Sequence, residues 1–318
     1  FQALGPRTLK NIAQPVDVFA IAPVDRGSGP GVTAPNAVDL RQEIRFCTAP
    51  DGVQLAYSMI GQGPPLVKTG NWLTHLEFDL QSPIWRHLYR ELAKDHTLVR
   101  YDARGNGLSD RTVDEISFDA FVGDLEAVVD ATGITRFALF GISQGCAVSI
   151  AYAVRHPDRV SHLILYGGYA IGGNKRARSA AQKEEDAAML TLMRRGWGRE
   201  NAAFRQLFTS QFIPGGTKEQ ADWFNELQRM TVSGEMAARI FETTGETDVT
   251  ALLPQVSVPT LVLHAREDAR VPFEAGRRMA AGIPGARFVT LEGRNHLFLE
   301  NEPAFGQFLE HTRAFLAT

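Results

Sequence analysis

Residues 141–145 read GISQG, a serine with glycine two positions away on either side. The pentapeptide is short, and its meaning comes from its flanks. FALF at 137–140 reads as a strand, and CAVSIAYAV from residue 146 reads as a helix, so the serine stands in a strand–turn–helix junction. A turn that sharp brings positions two before and two after the serine together. Gly141 and Gly145 stand where side chains would collide. Ser143 is then held strained, with its hydroxyl exposed beside a helix N-terminus. The chemistry that suits this arrangement is nucleophilic attack on an acyl carbon.

A serine hydroxyl is a poor nucleophile near neutral pH and needs a general base, which in turn needs an orienting carboxylate. With a nucleophile elbow of this kind the chain order is Ser, then Asp or Glu, then His. Asp268, in AREDARVP just past the apolar run TLVLH, fits the acid. Its rival Glu267 reads as a solvated loop charge. His296, in EGRNHLF just past RFVTL, fits the base. Of the eight histidines, His264 ends a strand too early, and His156 and His162 border the helix and strand after the elbow. His75 could line a pocket, but surface or packing is the expected role. His87, His96 and His311 read as surface. The oxyanion of a tetrahedral intermediate needs backbone N–H donors. Gln144, next to the nucleophile, is one, and Asn71 in TGNWLTH is the other, with Trp72 as second choice.

These residues need a scaffold. EIRFCTAP and VQLAYSMI flank Asp51-Gly52 as an antiparallel hairpin. PPLVKTG reads as a short buried strand, PIWRHLYRELAKD as a helix and HTLVRYD as a strand. FDAFVGDLEAVVDATG is an amphipathic helix, with Phe118, Phe121, Leu125 and Val128 or Val129 at helical spacing. RFALFGI, VSHLILYGG, TLVLHA and RFVTLEG continue as strands, separated or followed by the helices CAVSIAYAVRHPD, FEAGRRMAAGI and PAFGQFLEHTRAFLA. Such alternation predicts an α/β fold with a parallel sheet covered on both faces. From about 171 to 253 only helical patterns occur, which predicts a helical cap inserted between two strands. The cap is rich in apolar residues, among them Met189, Leu192, Trp197, Phe208, Phe212 and Trp223. Most are expected to pack the cap, and the apolar excess suggests a small or medium hydrophobic substrate group. KRAR (175–178) and KEED (183–186) read as solvated helix faces.

The chain has 318 residues, 44% hydrophobic and 22% charged, the balance of a globular protein with a sizeable core. A net charge of -3 gives no sign of a nucleic-acid surface. No apolar run is long enough for a transmembrane helix, and no signal peptide is visible. Cys47 and Cys146 form neither a disulfide framework nor a metal cluster, so the expected setting is cytoplasmic. The expected partner is a small-molecule ester, with no nucleic acid, membrane, metal or cofactor, and a homo-oligomer is compatible with the sequence.

Residues 40–318 resemble the α/β-hydrolase family, in its serine-hydrolase branch. GISQG carries the resemblance together with YDARGNGLSD (101–110), similar to the family's D-x-R-G-x-G-x-S loop, VPTLVLHAREDARVP (258–272), similar to its acid-bearing stretch, and GRNHLF, similar to its histidine-bearing stretch. The resemblance implies an eight-stranded, mostly parallel sheet, a cap inserted after strand six, and no cofactor. Thr69-Gly70 stands where many members have His-Gly. LGPRTLKNIAQPVDVFAI, within residues 1–23, is similar to the C-terminal end of class III nucleotide cyclase domains, with Asn11 in place of the usual glycine. The cyclase metal and nucleotide residues would lie upstream, so no cyclase activity is expected, and a chain starting at Phe1 fits a piece of a longer bacterial fusion. The expected organisation is a cyclase-like remnant at 1–23, a Gly/Pro/Ser-rich linker at 24–39, a hydrolase core at 40–170 and 254–318, and the cap at 171–253. The expected function is hydrolysis of carboxylic esters with short to medium acyl chains through Ser143, His296 and Asp268. The alternatives are a small-molecule sensor with slow turnover attached to a signalling cyclase, or lactonase, C–C bond hydrolase or perhydrolase chemistry on the same triad. Epoxide hydrolases and dehalogenases of this fold use an Asp nucleophile, which Ser143 argues against.

Overall fold

The structure, a computed structural model, describes residues 2–7, 16–20, 40–176 and 179–318. The chain forms two compact units, Phe1–Ala37 and Val38–Thr318. In the first, strands β1 (Gln2–Arg7) and β2 (Val16–Ala20) pair antiparallel. The remainder of the cyclase-like stretch and the whole of the linker at 24–39 lie outside the described residues.

The second unit is built on eight strands: β3 (Glu43–Thr48), β4 (Gln54–Ile60), β5 (Pro65–Lys68), β6 (Thr97–Tyr101), β7 (Phe137–Ile142), β8 (Val160–Tyr166), β9 (Thr260–Ala265) and β10 (Arg287–Leu291). Their order is β10-β9-β8-β7-β5-β6-β4-β3. Only β4 runs against its neighbours, pairing antiparallel with β3 and β6. β7 and β9 are buried at every position, as strands covered on both faces must be. The apolar runs FALFGI and TLVLHA meet that demand. The chain leaves β5 toward β6 on one side and then crosses back to β7 on the other. Segments that follow β5 and β7 therefore part at a switch point, where a crevice opens at the carboxyl ends of the strands.

Helices α1 (Leu76–Gln81), α2 (Arg86–Ala93), α3 (Phe118–Thr132) and α4 (Gly145–Arg155) connect the first six strands of this sheet. α3 shows why the pattern was readable. Ser117 caps its start by accepting from the Ala120 N–H, and Gly133, at φ 71°, ends it in the left-handed region. Phe121, Val122, Leu125, Val128 and Val129 are buried between. α1 was not expected from the sequence: its six residues are too few to show a period, and His75 caps it by accepting from Phe78 N–H at 3.3 Å. His87 departs from its surface reading. It is buried on α2 and meets Phe305 edge-on, because α2 packs against the C-terminal helix segment rather than standing free.

Between β8 and β9 the chain adds α5 (Ala180–Gly196), α6 (Ala203–Phe212), α7 (Lys218–Thr231) and α8 (Gly234–Gly245), followed by a short 3-10 turn, Thr250–Gln255. Reciprocal capping boxes start α5 at Ser179/Gln182 and α7 at Thr217/Gln220. The insertion buries Trp197, Phe208 and Phe224 as part of the unit's single core, with Trp197 and Phe208 packed on Trp72 of the loop after β5. It also buries the Arg205 guanidinium, which is satisfied by the carbonyls of Trp197, Arg199 and Asn225. α9 (Phe273–Gly282) and α10 (Pro303–Leu316) complete the layers around β9 and β10. Among the described residues no helix is long and apolar enough to cross a membrane.

Candidate active site

β7 delivers Ser143 to the crevice. The serine has φ 54°, one of two non-glycine residues in the left-handed region among the described residues. Such a conformation costs on the order of 1–3 kcal/mol and persists only where its surroundings impose it. Here Ser143 N–H donates to Tyr166 O at 2.9 Å and its carbonyl accepts from Cys146 N–H at 3.0 Å. Below the turn, the buried Cys146 thiol lies 3.3 Å from Gly141 O, and burial pushes its pKa up, so it serves as packing rather than as a reactive thiol. The two elbow glycines are required, with different neighbours. A Cβ on Gly141 would lie 2.7 Å from Ser149 Oγ and 2.9 Å from Cys146 Cα, and a Cβ on Gly145 would lie 2.9 Å from Gly70 O.

β9 and β10 deliver the other two residues. Asp268 Oδ1 accepts from the N–H groups of Arg270 and Val271, at 2.8 Å each. Its Oδ2 lies 2.7 Å from His296 Nδ1. Burial works to raise the Asp268 carboxyl, but the His296 ring, by charge and hydrogen bond, outweighs it, with His264 and Val271 assisting. The carboxyl is held below its ordinary value and stays ionised. An ionised acceptor at Nδ1 fixes the proton there and leaves Nε2 as the basic nitrogen. Nε2 is buried and has no hydrogen-bond partner among the described residues. This is the state expected of a base before its substrate arrives, since catalytic hydrogen bonds tighten only in the complex. Glu267, the rival acid, is exposed, and its backbone N–H is tied to Gly293 O.

Several supporting residues carry no signal in a motif. Gly167, at φ 58°, follows β8, and a Cβ there would stand 3.2 Å from His296 Cε1 and 3.5 Å from Asp268 Oδ2. The glycine pair after VSHLILY was the only hint. Phe212, at the end of α6, accepts the His296 backbone N–H at 2.8 Å and meets the ring edge-on. The inserted helices therefore hold the base directly. His264, set aside as too early in the chain to be the base, is buried under the acid instead. Its Nε2 is 3.0 Å from Val271 O and 3.6 Å from Asp268 Oδ2.

The loop after β5 packs against the start of α4, with Thr69 Oγ1 2.7 Å from Ser149 Oγ, and its Trp72 lines the same cavity as Ser143 and Gln144, whereas Asn71 is buried and does not reach that lining. No described residue accepts the backbone N–H of Asn71, Trp72 or Gln144. The cavity beside Ser143 measures about 60 Å³ and is lined by Trp72, Gln144, Tyr169, Phe212 and Phe241 together with Arg270. Its volume is small against the roughly 300–1,000 Å³ of drug-sized ligand sites. Of the apolar residues singled out in the insertion, Phe212 reaches this lining, while Trp197 and Phe208 are buried behind it against Trp72. Arg176 and Asp186 also line it, so the KRAR and KEED stretches are not simply solvated faces; the rest of KRAR, residues 177–178, lies outside the described residues.

The YDARGNGLSD loop is scaffolding. The buried Arg104 guanidinium pairs with Asp124 at 2.6 Å and with Asp51 at 2.6 Å, tying the loop to α3 and to the hairpin turn. Asp102 Oδ2 accepts from Leu76 and Leu108 N–H groups, and Gly107, at φ 53°, has no room for a Cβ against that carboxyl. Among the described residues no group of three His, Cys, Asp or Glu side chains could hold a metal ion.

Comparison with known proteins agrees with this fold. Residues 78–303 match the family model described as alpha/beta hydrolase fold. The pyrrolizixenacetamide deacetylase of Xenorhabdus hominickii is 27% identical over 260 residues, covering 79% of this chain and 91% of that protein. The non-heme chloroperoxidase CPO-A1 of Kitasatospora aureofaciens is 28% identical over 264 residues, covering 79% and 91%. Among solved structures, the esterase RhEst1 from Rhodococcus sp. ECU1013 superposes with a TM-score of 0.71 at 25% identity, covering 86% of this chain and 98% of that one.

Proposed function

The chain belongs to the alpha/beta hydrolase fold family, and from that premise we propose that it is a serine hydrolase cleaving carboxylic esters with short acyl chains. The observation that carries the reading is the Asp268–His296 pair, whose unpartnered Nε2 is left at the strand edge where Ser143 is held strained. In the proposed reaction His296 Nε2 takes the Ser143 proton as Oγ attacks the acyl carbon. The backbone N–H groups of Asn71 and Gln144 receive the oxyanion, with Trp72 the second choice for the former. His296 then protonates the departing alcohol oxygen. A water deprotonated by the same nitrogen attacks the acyl-enzyme, releases the acid and restores the serine. The small cavity favours acetyl to butyryl groups over longer chains. Cys47 and Cys146 are both free thiols, which fits a reducing compartment such as the cytoplasm.

The deacetylase and esterase among the similar proteins support acyl transfer, and the chloroperoxidase keeps perhydrolysis as the neighbouring chemistry on the same three residues. Sensing on behalf of an attached cyclase is the second reading. It draws on the cyclase-like sequence of residues 1–23 and on the compact unit that these residues belong to. A panel of p-nitrophenyl esters of increasing acyl length tests both. The enzyme reading expects many turnovers per second on acetate or butyrate and a loss in Ser143→Ala of up to roughly a million-fold in kcat. Equal turnover by wild type and Ser143→Ala contradicts it, and a single turnover with retained product favours the sensor.

A further inference from the structure

Lys68 is the last residue of β5, a central strand, and its side chain is buried. A buried ammonium is expensive unless it is paired, and a lysine in a sheet core normally has a carboxylate partner. Lys68 has none within ion-pair distance among the described residues. The neighbouring carboxylate Asp79 is instead engaged by Arg100 and by the Tyr89 hydroxyl, each at 3.3 Å. Asp102 accepts from two backbone N–H groups. The Lys68 ammonium lies 5.4 Å from the centre of the Trp85 ring and donates to the Asn71 side-chain oxygen, with Thr69 O at 3.4 Å. The same Asn71 amide donates from Nδ2 to Trp72 O at 3.0 Å. The Asn71 side chain is therefore clamped at both ends: by Lys68 from below and onto the next peptide of its own loop. A second tie, Thr69 Oγ1 to Ser149 Oγ at 2.7 Å, fastens the loop to α4.

We propose that Lys68 is a positioning residue for the oxyanion site: through the Asn71 side chain it fixes the loop that carries the proposed oxyanion donor opposite Gln144. The reason lies in the geometry of oxyanion stabilisation. Donors must already stand about 2.7–3.1 Å from where the oxyanion forms, so a loop free to move by an ångström loses stabilisation in the transition state and little in the ground state. The strand end supplies rigidity, the lysine stem supplies reach, and the ammonium supplies a charge-assisted donor that a neutral side chain at this position could not match. Burial pushes the Lys68 pKa down, to about 7, and both the ammonium and the amine retain an N–H for Asn71.

The inference rests on the proposed role of Ser143. Its test is a double-mutant cycle on the full chain with Lys68→Met, Asn71→Ala and the double variant, read by kcat and KM on p-nitrophenyl acetate, by inhibition constant for a short alkylboronic acid, and by Tm. The boronic acid becomes tetrahedral on the serine and uses the same oxyanion donors. Removing an oxyanion donor outright costs about 100- to 1,000-fold in kcat, so loosening one should cost about 10- to 100-fold. The expected result is that loss in Lys68→Met, with KM within about three-fold, a parallel weakening of the boronic acid, and a double variant no worse than the worse single one. Methionine removes the buried charge while keeping the stem, so Tm is expected to hold or rise. Should Lys68→Met not fold, Asn71→Ala reports on the same hydrogen bond from its other end. A kcat within two-fold of wild type in a folded Lys68→Met overturns the inference, and so do losses that simply multiply in the double variant. Wild-type protein that turns over no ester removes the function itself, a result distinguishable from either of these.

Discussion

Replacing Asp268 with asparagine separates the shape of the acid from its charge. In the structure, Asp268 Oδ1 accepts two backbone N–H groups at 2.8 Å and Oδ2 faces His296 Nδ1 at 2.7 Å. An asparagine oxygen must keep the first side, because an NH2 turned there would face two donors. The NH2 is then directed at His296 Nδ1. A donor opposite a donor forces the ring to offer a lone pair at Nδ1 and to carry its proton on Nε2, the nitrogen that has to accept the Ser143 proton. The wrong tautomer in an otherwise intact site lowers kcat by about 10⁴-fold. At about 1.4 kcal/mol per decade this is about 5.5 kcal/mol of transition-state stabilisation. KM should change by less than about three-fold, since the substrate contacts are untouched.

The stability side has a definite sign. The folded carboxyl titrates below its usual value, so it stabilises the protein above an unfolded pKa of about 3.9. That stabilisation is lost as pH falls through the lower folded value. Asp268→Asn should therefore trail wild type in Tm at pH 7 and draw level with it in strong acid. The assay is p-nitrophenyl butyrate hydrolysis with circular dichroism melts, and Glu267→Gln as control, expected within two-fold of wild type. A folded Asp268→Asn that keeps more than a tenth of wild-type kcat would refute the reasoning, as would a larger loss in Glu267→Gln.

Other expectations follow from contacts of the same kind. Arg104→Met leaves the Asp124 carboxylate buried without its cation and should cost about 3–5 kcal/mol, measured as a lowered urea midpoint with the slope unchanged. Gly145→Ala sets a methyl 2.9 Å from Gly70 O; kcat should fall about 10- to 100-fold as the β5 loop is displaced, and a wild-type kcat would show that the loop position does not matter. Phe241→Ala opens the cavity wall and should raise kcat/KM for hexanoate relative to acetate by about 10-fold, with no change in ratio counting against this cavity as the acyl site.

The sheet and the order of its elements were legible because buried strands and amphipathic helices leave periodic traces, as FALFGI and the α3 stretch do. Ser143, Asp268 and His296 were singled out by the G-x-S-x-G turn and by the chain order Ser, Asp, His after strands, and the structure brings the last two into contact. What stayed hidden is contact between distant segments. Nothing local marks Phe212 as the residue that holds the His296 backbone, or Gly167 as the gap that admits the imidazole. His264 beside the acid was hidden too, since a histidine ending a strand looks the same whether it packs or acts. His87 misled for the opposite reason: an amphipathic helix shows one polar face, but not which of its borderline residues a neighbouring helix will cover. The small α1 fell below the length at which a period can be seen. The buried Lys68 reads as an ordinary strand-end charge until its lack of a carboxylate partner among the described residues is seen.

The claim on which the rest depends is that Ser143 is the nucleophile. The direct measurement is covalent trapping: the protein is incubated with a fluorophosphonate, digested, and the modified residue located and counted by mass spectrometry. Activation by His296 predicts one phosphonyl group per chain, carried on Ser143 of the elbow, absent in Ser143→Ala and strongly reduced in His296→Ala. Labelling of another residue, or equal labelling of wild type and Ser143→Ala, would contradict the account.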